Sequence, residues 1–162
     1  MSLPRSLPLV VHPVVLVNNL TTNGGVTSLK CTLKSTLKCW LYVYLQNAVG
    51  FAQVITPSQA TTIAAGTNAV IPAVPIWANE DVAASDTLVS QTAAANYTTA
   101  NVAKKKLVVF EIDPAVLGVA GVSYPVVYVT LTDSSQATNF CTIVAHLWQV
   151  NQVATPPSCI LD

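Results

Sequence analysis

The chain has 162 residues, 52% hydrophobic and 9% charged, with mean hydropathy +0.53 and seven basic side chains balanced by seven acidic ones. Disorder needs low hydrophobicity and high net charge, so this composition predicts one folded domain with a sizeable core. Zero net charge leaves no long-range field to draw the chain onto nucleic acid or an anionic membrane, and neither is expected as a partner. So few charges also leave apolar and small residues at the surface once a core is filled, the composition of a subunit made to be covered.

At the start, Pro4, Pro8 and Pro13 interrupt a run of Leu and Val. Proline lacks an N–H and cannot fully join a central ladder, so residues 1–25 are predicted to form an extended, polyproline-like or edge-strand arm. The apolar stretches 9–17 and 69–78 are short and carry prolines, well below the roughly 18 to 20 uninterrupted residues of a membrane span. His12 and Pro13 break the first of these and no small-x-small site follows, so no signal peptide is expected.

Between Ser28 and Leu45 the odd positions read Leu29, Cys31, Leu33, Ser35, Leu37, Cys39, Leu41, Val43 and Leu45, against Lys30, Thr32, Lys34, Thr36 and Lys38. Period two predicts β-structure with an apolar face and a basic, hydroxylated one. From Trp40 both faces become apolar, with Trp40, Tyr42 and Tyr44 opposite the Leu and Val series, as in a strand covered on both sides. Lys34, Ser35 and Thr36 offer a hairpin turn between the two Leu-Lys-Cys copies.

Further strands are predicted over 51–56, 67–71, 87–91, 107–112, 122–131 and 139–150, each rich in Val, Ile, Thr or aromatics and bounded by turn residues. Single helical turns are predicted at 82–85, 93–96 and 114–117, with Asp113 capping Pro114. Short strands separated by turns give the fold class: all-β, an antiparallel β-sandwich or barrel, jelly-roll-like, with extended N- and C-terminal arms. The division is an arm at 1–25, a β domain at 26–150 and a tail at 151–162. That tail is apolar, with Pro156 and Pro157 before Cys159, Ile160 and Leu161, so something must bury it: a partner or the chain's own body.

Chemistry is sparse. Cys31, Cys39, Cys141 and Cys159 form no CxxC pair and read as buried thiols, with a Cys31–Cys39 disulfide as the alternative if the chain turns back between them. His146 follows Cys141 by five residues, which in a strand places the two on opposite faces, so it reads as structural. Glu111 and Asp113 read as solvent-facing residues at a strand end. Asn79, Glu80, Asp81, Ser85 and Asp86 lack the spacing of a calcium loop and read as a polar loop. Lys104, Lys105 and Lys106 read as charges keeping a strand edge soluble. Trp40, Trp77 and Trp148 read as core or interface residues, with sugar stacking as the rival role. No GxSxG, HExxH, Walker A or GxGxxG pattern occurs. No catalytic residue, cofactor or metal ligand is assigned, and the chain is not expected to be an enzyme.

Residues 76–121 carry Asn79, Asp81, Ala83, Ala84, Asp86, Thr87 and Leu88, then Thr98 and Thr99, then Leu107, Val108, Glu111 and Asp113; Ala-Thr-Pro-Pro-Ser follows at 154–158. This pattern resembles a family of small proteins encoded among the head genes of tailed bacteriophages and prophages. The resemblance covers about half of the chain and extends weakly back to the strand after Ser28. It implies a virion structural component, a decoration or cement protein on the capsid exterior, assembled in the host cytoplasm. The implied partners are the phage major capsid protein and further copies of this chain, with a trimer as the first expectation. A head fibre, spike or carbohydrate-binding module is the alternative. The interface is predicted at Leu7, Leu9, Val11, Val14, Leu16, Trp77, Ile160 and Leu161.

Overall fold

Runs of Val, Ile, Thr and aromatic residues favour the pleated backbone because their branched or flat side chains pack well across neighbouring strands. The computed structural model describes residues 10–64, 66–149 and 159–160, and 55% of the described residues are in strands or bridges. In chain order these are β1 (Val11–Thr21), β2 (Val26–Thr27), β3 (Cys31–Thr32), β4 (Thr36–Asn47), β5 (Val54–Ala60) and β6 (Asn68–Val70). They continue as β7 (Val74–Asn79), β8 (Val89–Ala94), β9 (Tyr97–Thr98), β10 (Lys105–Ile112), β11 (Val126–Leu131) and β12 (Asn139–Gln149). A six-stranded sheet A runs β1-β12-β4-β10-β7-β8, and sheet B runs β2-β11-β5-β6 with β3 on β11 and β9 on β5. All these pairings are antiparallel. The sheets pack as a sandwich and do not close into a barrel.

The core follows from the alternation. Cys39, Leu41, Val43 and Leu45 of β4 lie beside Cys141, Ile143, Ala145 and Leu147 of β12 and Val108, Phe110 and Ile112 of β10. Ile55, Val127, Val129 and Leu131 of sheet B close over them. Only one face of β4 is covered in this way. Trp40, Tyr42 and Tyr44 are half-buried, and among the described residues no second layer covers their side of the strand.

The turn at 34–36 exists, with Ser35 at φ 59° and the Thr36 N–H donating to the Leu33 carbonyl at 3.1 Å. It is a corner rather than a hairpin: β3 belongs to sheet B and β4 to sheet A. The change of sheet also breaks the alternation, leaving Leu29 and Leu37 exposed. The predicted helical turn at 93–96 is overturned, because residues 93 and 94 lie in β8, where Ala94 pairs with Val74 of β7. At 114–116 a short 3-10 turn does form, and the Asp113 carboxylate accepts from the Ala115 N–H at 2.8 Å as its cap. Strand β7 has no counterpart in the sequence reading, since prolines before and within it hide its alternation.

β1 is an edge strand of sheet A, paired along its length with β12. Pro13 fits there because it faces out and the edge leaves its missing N–H without consequence. At the far end of β1, Gly24 and Gly25 turn the chain with φ +85° and +77°. The Cβ of any other residue at Gly25 would lie 3.1 Å from the Leu131 carbonyl oxygen.

Candidate functional site

Residues opposite one another in antiparallel strands share a face. On the outer face of sheet A, one row crosses five strands as Val15, Val144, Tyr42, Val109 and Trp77. The next row carries Pro13, His146, Trp40 and Glu111. Trp40 stacks on Trp148 with ring centroids 6.5 Å apart and planes 14° from parallel, and Tyr42 meets His146 at 4.7 Å. Val15 is 53% exposed, Trp148 43% and Trp77 38%, whereas Val109 is buried between the larger side chains of Tyr42 and Trp77.

This face is aromatic and aliphatic, and its charges stand toward its margins. Lys38 and Glu111 form an ion pair, and Lys105 projects at the far end of β10. Partial burial among apolar rings lowers the affinity of His146 for a proton below the usual imidazole range, so it is neutral at pH 7 and adds no charge. Chemically the face can stack, exclude water and fit another apolar surface. His146 and Cys141 do not meet: the thiol lies in the core and the imidazole on the opposite side of β12.

The expected interface residues separate. Trp77 stands on the outer face, and Val11 is half-buried on β1 at the opposite edge of the sheet, paired with Trp148. Val14 and Leu16 are corrections. They are 8% and 2% exposed within the chain's own core, because they point inward from β1. Ile160 is half-buried and packs on that core. Leu7, Leu9 and Leu161 lie outside the described residues. Tyr42, Val144 and Val15 were not anticipated as surface residues, and their signal was the two-faced apolar stretch beginning at Trp40.

Asn79 and Asp81 belong to a polar knot at one end of the sandwich with Glu80, Tyr97, Lys104 and Lys106, whereas Glu111 and Asp113 lie toward the opposite end of β10. Asn79 donates from Nδ2 to the Ser85 carbonyl at 2.7 Å and accepts from the Asp81 N–H at 2.9 Å. Asp81 pairs with Lys104 at 2.5 Å, and that ammonium, with the Ala83 and Ala84 N–H groups, holds its carboxyl below the usual carboxylate range. Lys106 corrects the reading of the triple-lysine run as a solvated edge. It takes the inward phase opposite Leu45, is fully buried, and donates to the Ala100 carbonyl. Its Nζ lies 3.5 Å from Glu80 Oε2, while Tyr97 donates to Glu80 Oε1 at 2.9 Å. Burial lowers the Lys106 pKa against the raising effect of Glu80, and burial together with Glu80 pushes the Tyr97 phenol up to about 12. Among the described residues, no three His, Cys, Asp or Glu side chains stand in metal-binding geometry.

All four cysteines are buried thiols, and no disulfide joins Cys31 to Cys39. Burial pushes the Cys39 thiol up, and pushes that of Cys141 up to about 11. Cys159 is held beside β3, where the Thr32 N–H donates to its carbonyl at 2.8 Å.

Comparison of the chain with protein-family models, with curated proteins and with solved structures returned no match.

Proposed function

We propose that this chain is a non-enzymatic virion structural protein that decorates and cements a phage head lattice from outside. In this reading it assembles in the host cytoplasm, with the major capsid protein and further copies of itself as partners. One observation carries the proposal: the outer face of sheet A is a continuous aromatic and aliphatic surface in a chain with almost no charge to keep such a surface wet. Apolar faces of this kind favour a partner that removes them from water, and aromatic residues dominate such contacts. The occupant is the repeated surface of the shell. An apolar, weakly charged contact gives modest affinity at each site, and repetition over a lattice makes the whole attachment tight. The likeness of residues 79–88 and 98–113 to phage head proteins points the same way.

The test is to assemble shells in the presence of the chain and count copies per particle by quantitative mass spectrometry. A fixed, high ratio to the shell subunit is expected, falling sharply for Trp77→Ala and Trp148→Ala variants that keep a cooperative melt. A handful of copies confined to one vertex overturns the proposal. The three tryptophans sharing this face support the second reading, a glycan-binding head fibre or spike. Glycan-array binding lost in the same variants, with no shell binding, would establish that reading in its place.

A further inference from the structure

Where residue 159 approaches His12 and β3, the geometry points to a covalent latch: the thiols of Cys31 and Cys159 form a redox-controlled disulfide that ties residue 159 to β3. The Thr32–Cys159 backbone hydrogen bond of 2.8 Å fixes the two segments side by side. Both side chains are buried in the same core cluster, where each thiol shifts the protonation of the other, and the Cys31 thiol lies 3.7 Å from the Thr32 carbonyl oxygen. Cys159 Sγ lies 4.0 Å from His12 Nδ1 and 3.9 Å from Gln149 Nε2, a polar setting for a buried thiol. A groove of about 240 Å³ is lined by His12, Pro13, Val14, Val15, Cys159 and Ile160, with Cys159 itself 5% exposed. Cys31 has no exposed surface and stands behind it.

That arrangement orders the chemistry. The Cys31 thiol favours the thiolate at Cys159, against the opposing effect of burial, while Cys31 itself is held protonated. The oxidant is a low-molecular-weight disulfide. The Cys159 proton leaves toward His12, and the thiolate attacks one sulfur of the oxidant, forming a mixed disulfide and expelling one thiolate. Cys31 then gives up its proton and attacks Cys159 Sγ, expelling the second. Two protein thiols are oxidised by two electrons, the oxidant is reduced to two thiols, and the two protons end on those products.

The experiment treats the folded full-length chain with oxidised glutathione, blocks residual thiols and maps the digest. The expected product is a Cys31–Cys159 cross-linked peptide, with loss of two reactive thiols and a melting transition raised by several degrees that dithiothreitol reverses. Cys31→Ser should stop the reaction at a stable glutathione adduct on Cys159, Cys159→Ser should leave Cys31 unmodified, and Cys141→Ser should change nothing. A glutathione adduct that persists on Cys159 of the unaltered chain overturns the latch. So does a Cys31–Cys39 cross-link, or thiols that react only after unfolding. Mapping the unaltered chain decides the matter even if a variant fails to fold.

Discussion

At Asp133 a single carboxylate joins two turns. Its Oδ1 accepts from the Gly24 and Ser135 N–H groups, each at 2.6 Å, which pins the β1–β2 turn to the loop between β11 and β12. Those two donors hold its pKa below the ordinary 3.8. The folded state therefore binds its proton less readily than the unfolded chain, so the stabilisation is present above pH 3.8 and lost as pH falls through the lower folded value. Asp133→Ala should flatten the acid limb of the stability curve below that pH, measured by denaturant melts at stepped pH. An unchanged acid limb would show that the turn is held without the charge. Glu80 and Lys106 make an unequal pair. Lys106 is fully buried while Glu80 is about 30% exposed, so removing the carboxylate strands a cation in the interior. Glu80→Gln is expected to cost about 2 kcal/mol, because breaking an ion pair from one side leaves the buried partner uncompensated. Lys106→Met removes the buried charge itself and should cost less. Urea melts that reverse this order would mean the Lys106–Ala100 contact outweighs the ion pair.

β1 places Val14, Leu16 and Val17 in the core. Burial of each such side chain is worth roughly 1.5 to 3 kcal/mol, and three together approach the whole stability of an ordinary domain. Deleting residues 1–25 should therefore abolish cooperative folding rather than release an intact β body, as a thermal melt and amide exchange of the truncated chain would reveal. A truncated chain with an unaltered transition would show β1 to be dispensable. Most strands were legible because branched residues with period two leave little alternative, as in 107–112 and 139–149. Less legible were β7, carrying Pro75, and β5, carrying Pro57, since a local scan cannot know that an edge or a bulge tolerates the ring. β1 was read as an arm for the same reason. Its prolines and apolar run were visible in the sequence, but its long-range pairing with β12 was not. The odd-numbered face of β4 was legible as the inner one, but from Trp40 onward both faces are apolar, so the outward placement of Trp40, Tyr42 and Tyr44 was not.

Across the described residues, the consequence is a sandwich with one covered and one uncovered side of sheet A. Trp77, Trp148 and Trp40 share the uncovered side although they are far apart in sequence, and only the strand order β12-β4-β10-β7 brings them together. The composition foretold such a surface without locating it. If that surface is the docking face, its attachment should respond to salt in a characteristic way. Contacts made by charge weaken as ionic strength rises, because screening shortens their reach to about 3 Å at 1 M. Contacts made by apolar burial are not screened, and excluded salts such as sulfate strengthen them. Shell attachment of this chain should therefore survive 1 M sodium chloride and tighten in ammonium sulfate, measured as the fraction co-sedimenting with shells. Replacing Trp77 or Trp148 by Ala removes a contact worth on the order of 2 kcal/mol at each site. With several copies or sites engaged together the losses multiply, so retention should collapse more steeply than single-site binding does. The fold itself should be little affected, since both rings are among the exposed large hydrophobics, whereas Leu41→Ala in the core should cost about 2 to 5 kcal/mol. Attachment that dissolves in moderate salt while both tryptophan variants bind normally would place the contact on the charged polar knot around Asp81 and Lys104 instead.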